Sequence, residues 1–282
     1  MARNAAPASA AGTIALAGKT VVNRMGFGAM RLTGAGVWGE PKDRATAKRV
    51  LQRAVELGVN FIDTADSYGP HVSEQIIAEA LHPYPADLVI ATKGGLVRPG
   101  PDDWVRDGRP EHLRRACEAS LKHLRKDCID LYQLHAIDPK VPLEESLGEL
   151  VKLQAEGKIR YIGVSNFTVP DLDRARQVTT IVSVQNRYNA GDRRYDDVID
   201  YCEQHSMAFI PWYPLSAGEH ATKASSTSEL ERIVRERNVT MAQAALVFLL
   251  SRSPVVLPIP GTSSVDHLEE NVAAASKVGN GA

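Results

Sequence analysis

The chain predicts a (β/α)8 barrel of the α/β class, on three observations. Apolar, strand-like runs alternate with amphipathic helical stretches along nearly all 282 residues. Five of those runs, in FIDTADSYG, VIATKGG, LYQLHAID, IGVSNF and VQNRYN, end in polar residues of different kinds. No linker rich in Pro, Gly or Ser divides the sequence, so residues 1–282 read as a single domain.

Residues 1–12, small and rich in Ala, read as a flexible leader. TIALAGKTVV reads as a β-hairpin turning at Gly18, placed to plug the floor of the barrel. RMGFGAM, over 24–30, is the first barrel strand. A helix over 44–57 sets Ala47, Val50, Leu51, Ala54 and Leu57 at a 3.6-residue period, and Gly58 stops it. Strand 59–63, helix 73–81, strand 88–92, helix 110–124, strand 129–135 and helix 143–156 follow, the last closed by Gly157. Strand 159–164, helix 170–176, strand 181–185, helix 194–205 and strand 207–212 continue the alternation. Two helices, 228–237 and 240–252, come before the last strand, 255–259, so one of them is extra to the repeat. Helix 265–276 completes the eighth unit.

Composition narrows the functional classes. Hydrophobic residues make up 44% and charged residues 24%, with a net charge of −1, which is ordinary for a soluble globular chain. Arg114-Arg115 and Arg193-Arg194 sit beside acids in helical stretches and read as solvated faces, so no nucleic-acid partner is indicated. No run of about eighteen apolar residues exists, so no membrane span is expected. Cys117, Cys128 and Cys202 fit neither a disulfide framework nor a zinc site and read as reduced thiols of a cytoplasmic protein. A monomer or weak homo-oligomer acting on a small molecule is the simplest state.

A closed parallel barrel gathers the C-terminal ends of its strands around one mouth. Parity supports such a mouth here. Val59, Phe61 and Asp63 share one face, as do Val89, Ala91 and Lys93, and Ile129, Leu131, Gln133 and His135. A buried Lys93 needs a counter-charge, and Asp63 from the neighbouring strand is its natural partner. Tyr68 follows five residues after Asp63, and a nearby ammonium is expected to lower its phenolic pKa. Such a phenol suits proton delivery to a developing alkoxide. His135 is placed to hydrogen-bond a carbonyl oxygen. Each residue alone reads equally as an ion pair, a packed ring or a satisfied histidine; the set points to carbonyl chemistry.

The source of electrons is constrained by what is missing. Gly26-Phe27-Gly28 lacks the third glycine of a Rossmann fingerprint, and there is no P-loop. No HxH or HExxH pattern occurs among the eight histidines, so no metal is expected. Ser165, Asn166 and Gln185 offer groups that suit a carboxamide, and Trp212 offers a flat face for a ring. Gly261, Thr262, Ser263 and Ser264 precede a helix N-terminus, where a phosphate is favoured.

These motifs, in this order, resemble the aldo-keto reductase superfamily over nearly the whole chain. The resemblance implies a barrel that uses NADPH without a Rossmann fold. It makes Tyr68 the general acid, Lys93 and Asp63 its activating pair, and His135 the orienting group. It implies cofactor contacts from Gly28, Ala29 and Met30, and from Asp63. Ser165, Asn166 and Gln185 would hold the carboxamide and Trp212 the ring. Tyr213, Leu215, Gly261, Thr262, Ser263, His267, Glu270 and Asn271 complete the implied cofactor site. Many members carry Lys where this chain has Gly261, and Arg where it has His267, so NADH stands as an alternative to NADPH. Trp38 and Trp104 are expected to line the substrate pocket. GAGVWGEPKDR, SYGPHVSEQIIAEALHPY and IPGTSSVDHLEEN are similar to bacterial pyridoxal reductase-like members, which makes pyridoxal the candidate aldehyde. A cofactor-binding redox-sensing module is the rival expectation.

Overall fold

The computed structural model describes residues 8–215 and 227–279. Residues 1–7, in the expected leader, lie outside the described residues. Ala8–Ala11, expected to be flexible, instead form a turn of 3-10 helix, with Ala8 fully buried and its amide bonded to the Leu57 carbonyl.

A hairpin of β1 (Thr13–Leu16) and β2 (Thr20–Asn23) opens the fold, turning at Gly18. Its Leu16 and Val22 pack into the same interior cluster as Phe61, Ala91, Leu131 and Ile210. The expected plug is therefore present, and it works by burying two apolar side chains in the barrel floor.

Seven parallel strands make the curved sheet: β3 (Phe27–Gly28), β4 (Phe61–Asp63), β5 (Val89–Gly94), β8 (Ile129–Leu134), β9 (Ile159–Ser165), β10 (Ile181–Arg187) and β11 (Ala208–Trp212). Between β5 and β8 lies an antiparallel pair, β6 (Leu96–Val97) and β7 (Val105–Arg106), which has no counterpart among the expected elements. The outer ring is α1 (Arg44–Glu56), α2 (Val72–Leu81), α3 (Pro110–Leu124), α4 (Leu143–Ala155), α5 (Val169–Val178), α6 (Asp196–Gln204), α7 (Ser228–Arg237), α8 (Met241–Arg252) and α9 (Val265–Ala273). Local chemistry fixes several starts. Asp43, Thr168, Thr240 and Ser264 each accept a first-turn amide, and Thr168–Asp171 and Thr240–Gln243 form reciprocal capping boxes.

The eighth strand, expected over 255–259, closes the barrel without a continuous ladder. On one side Phe209 donates to Val255 and Leu257 donates to Phe209, at 2.9 and 2.8 Å. On the other, Gly26 and Gly28 donate to the carbonyls of Pro258 and Pro260. Those prolines have no N–H to return, so this seam carries bonds in one direction only. The first strand is likewise shorter than 24–30, because the chain enters a 3-10 turn at Ala29.

Two apolar layers result. The interior layer includes Phe61, Val89, Ala91 and Leu131, and the outer layer lies between sheet and helices. Val59 and Ile129, assigned inward by parity, pack in the outer layer at the lower rim. Above the interior apolar layer the inward positions turn polar: Asp63, Lys93, Gln133 and Gln185 are all buried.

Candidate active site

Lys93 organises this polar layer. Its ammonium is fully buried and donates to Asp63 Oδ2 at 2.7 Å, to the Thr64 carbonyl at 2.8 Å and to Tyr68 Oη at 3.4 Å. The remaining carboxylate oxygen, Asp63 Oδ1, accepts from Gln133 Nε2 at 3.2 Å and Gln185 Nε2 at 2.8 Å. Burial works against the ammonium, but the Asp63 charge and the Tyr68 oxygen outweigh it, and the Lys93 pKa is raised. Gln133 is a site residue that no sequence motif marks; its inward parity two positions before His135 is the available signal.

Tyr68 is carried on the loop between β4 and α2, folded by bonds from Tyr68 N to the Ala65 carbonyl and from Ser73 N to the Tyr68 carbonyl. Its phenol does not have the lowered pKa that the neighbouring ammonium predicted. Burial dominates and raises it above the ordinary value of 10.0, with Lys93 opposing only in part. The hydroxyl therefore holds its proton at neutral pH. His135 is also held uncharged: burial, reinforced by the Lys93 charge, pushes its pKa well below 6.5. Ser67 Oγ lies 3.5 Å from its Nδ1.

These groups open onto a cavity of about 360 Å³. Of the expected site residues, Gly28, Met30, Asp63, Tyr68, Trp104, His135, Ser165, Asn166, Gln185, Trp212, Tyr213 and Gly261 line it. The Tyr68, His135 and Trp104 rings stand 6.1 to 6.3 Å apart, edge to face. Asn166, in a left-handed conformation with φ of 63°, donates to the His135 carbonyl and to Ser165 Oγ, and accepts from Trp212 Nε1 at 3.2 Å. Ser165 Oγ in turn donates to the Gln185 carbonyl. The three polar residues and the indole are thus tied together across β9, β10 and β11.

Other expected contacts sit elsewhere. Ala29 is fully buried, and Leu215 packs in the outer apolar layer with Pro214 lining the cavity in its place. Trp38 does not line the cavity; it stands behind Arg98, whose guanidinium lies 5.8 Å from the Trp38 ring and 3.7 Å from Trp104. Arg98 also donates to the carbonyls of Gly36, Val37, Ser67 and Asp103. It therefore pins three loops together, a role that nothing in its local sequence signals. Thr262 is fully buried, and its hydroxyl accepts from Ser264 N. Ser263 borders a separate groove beside Thr33 and Lys42. His267 donates its amide to the Ser264 cap, and the Glu270 carbonyl accepts from Gln243. Asn271 is 1% exposed, and neither of its amide atoms has a partner among the described residues. Finally, the fold brings His71, Glu74 and His123 together, a histidine cluster that linear spacing does not reveal.

Comparison with known proteins agrees with this architecture. The aldo/keto reductase family model matches residues 24–278. The chain belongs to that family. An uncharacterized oxidoreductase of Schizosaccharomyces pombe is 52% identical over 274 residues, covering 97% of this chain and 88% of that protein. Pyridoxine 4-dehydrogenase of Escherichia coli is 44% identical over 263 residues, 91% of each chain. Among solved structures, a glycerol dehydrogenase from Gluconobacter oxydans superposes with a TM-score of 0.81 at 29% identity, covering 94% of this chain and 90% of its own. An aldo-keto reductase from Klebsiella pneumoniae in complex with NADPH superposes with a TM-score of 0.77 at 27% identity, covering 93% and 89%. As an aldo/keto reductase, the chain is an NAD(P)H-dependent oxidoreductase. Among the described residues no helix is long and apolar enough to cross a membrane.

Proposed function

We propose that this chain reduces aldehydes to primary alcohols, with pyridoxal the candidate substrate and Tyr68 the proton donor. The cofactor is NADP(H), as in the Klebsiella relatives solved with NADPH and with NADP. When bound, it supplies a hydride to the carbonyl carbon.

Two observations support the fit of a dinucleotide. The unpartnered amide of buried Asn271, near the end of the helix that Ser264 caps, suits the hydrogen-bonding edge of a base. The linked amides and hydroxyl of Ser165, Asn166 and Gln185 lie beside the partly exposed face of Trp212, a pairing suited to a flat ring bearing a carboxamide. Gly261 to Ser264 and the amides of the following turn would take phosphate. Thr262, Ser263, His267 and Asn271 would partly replace the Lys and Arg that many members carry at the positions of Gly261 and His267. Gly28, Met30, Tyr213 and Glu270 would border the same molecule.

The observation that carries the catalytic reading is the Tyr68 hydroxyl, 3.4 Å from an ammonium locked to Asp63 and facing the cavity beside His135. Neutral His135 would donate a hydrogen bond to the carbonyl oxygen and fix its position. As charge grows on that oxygen, Tyr68 gives up its proton and becomes a phenolate. Lys93 faces that phenolate and Asp63 keeps Lys93 in place, so the charge does not develop in an apolar surround. Trp104 would close the substrate side and exclude water.

The preference for pyridoxal rests on the 44% identity to the Escherichia coli pyridoxine dehydrogenase. The test is NADPH oxidation with an aldehyde panel including pyridoxal, run on the parent and on Tyr68→Phe. We expect turnover to fall by roughly 10²- to 10⁴-fold, the usual worth of a positioned acid, with NADPH binding unchanged. Equal turnover by the two proteins refutes the role of Tyr68. Turnover of other aldehydes but not pyridoxal refutes only the substrate.

A further inference from the structure

Three side chains that the carbonyl chemistry leaves unused converge on the flank of the barrel. His71 immediately precedes α2, Glu74 lies in the first turn of α2, and His123 lies in the last turn of α3. His71 Nδ1 and His123 Nδ1 stand 3.7 and 3.6 Å from Glu74 Oε2, and one ligand atom from each of the three residues lies within 4.8 Å of the other two. All three atoms are buried, and none has a hydrogen-bond partner among the described residues. Native folds rarely leave one such atom unsatisfied, so three aimed at one point call for an occupant. None of the three residues lines the catalytic cavity.

We propose that His71, Glu74 and His123 form a binding site for a divalent transition-metal cation of the zinc type. Two imidazole nitrogens and one carboxylate oxygen form a donor set for such a cation. With metal–ligand distances of about 2.0–2.2 Å, tetrahedral ligands stand about 3.4 Å apart. The observed 3.6 and 3.7 Å separations are within a few tenths of an ångström of that edge, on the order of a rotamer adjustment. The carboxylate is already oriented, because Thr92 Oγ1 donates to its other oxygen at 2.7 Å. Outer hydrogen bonds of this kind hold metal-binding carboxylates in place. Side-chain exposures of 37% for His71 and 27% for His123 leave a path for entry and for a water as fourth ligand. The cation would clasp the start of α2 to the end of α3. His71 also donates its amide to the Asp66 carbonyl at 2.7 Å, so the clasp would reach the loop that carries Tyr68.

The test uses the untagged, NADP-saturated full chain, stripped with a chelator and dialysed. Calorimetric titration with Zn²⁺ should give one cation per chain, and Co²⁺ should develop the visible bands of tetrahedral coordination. Zn²⁺ should raise the melting temperature. His123→Ala should weaken binding by at least about 100-fold, since it removes a direct ligand, while His205→Ala should leave it unchanged. A zinc-soaked crystal measured at the zinc absorption edge should show an anomalous peak between the three atoms, independent of any variant. Zero stoichiometry, equal affinity in His123→Ala, or density for water alone with no anomalous signal would each overturn the proposal.

Discussion

Removing either member of the Asp63–Lys93 pair should destabilise the fold, and by unequal amounts. Lys93 is fully buried and Asp63 is 3% exposed, so solvent screens neither charge. In Asp63→Ala the ammonium keeps only the Thr64 carbonyl at 2.8 Å and the Tyr68 hydroxyl at 3.4 Å, and two glutamine amides lose their acceptor. In Lys93→Met the carboxylate keeps both glutamine donors. Breaking a buried pair costs about 3–5 kcal/mol, so we expect Asp63→Ala near about 5 and Lys93→Met near about 3. The double variant leaves no buried charge, and its loss should fall short of the sum by about 3 kcal/mol. Urea unfolding of the cofactor-free proteins, followed by tryptophan fluorescence, measures all three without linkage to NADP. Losses below about 1 kcal/mol that simply add would refute the reasoning, because that is how a solvated pair behaves.

Four further outcomes follow from the geometry. With Tyr68 as the proposed proton donor and its pKa raised by burial, kcat/KM for reduction should be level through neutral pH and fall only at alkaline pH, while alcohol oxidation rises there. A reduction rate already halved near neutrality counts against it. Arg98→Met removes the cation over the exposed Trp104 ring, a contact worth roughly 0.5–1 kcal/mol, and should raise KM for the aldehyde about 2- to 5-fold with NADPH binding intact by fluorescence titration. In Gly28→Ala the new Cβ would lie 2.7 Å from the Ile259 carbonyl oxygen, so we expect a loss of about 1–3 kcal/mol in urea unfolding. Burial pushes the Cys117 and Cys202 thiols up to about 12, so iodoacetamide at neutral pH should mark Cys128 alone by mass spectrometry and leave turnover intact.

Much of the barrel is legible in the sequence because its signals are local. The inward rows of β5 and β8 deliver Lys93 and Gln133 to the mouth as parity requires, and capping residues mark helix starts at Asp43, Thr168 and Thr240. What escapes depends on pairing across distance. The β6–β7 hairpin is only two residues per strand, too short for a period to show. Arg98 owes its place to carbonyls on three loops, and the His71–Glu74–His123 cluster spans two helices. The phenol of Tyr68 departs from expectation for a related reason: an adjacent ammonium can be read from strand order, but the depth of burial that outweighs it cannot.

The one-way bonding at Pro258 and Pro260 has a consequence for the rim above it. Along the seven-strand sheet the neighbouring strands form parallel ladders, in which amides are exchanged in both directions and resist shear. Where the last strand meets the first, the backbone bonds among the described residues come from the two glycine amides, with Arg24 Nε adding a side-chain bond to the Val256 carbonyl lower down, and Gly261 sits at the top of that join. Breathing motions should concentrate there, giving the loop at Gly261 slack to admit and release a long ligand while the ion-paired Lys93, two strands away on β5, stays still.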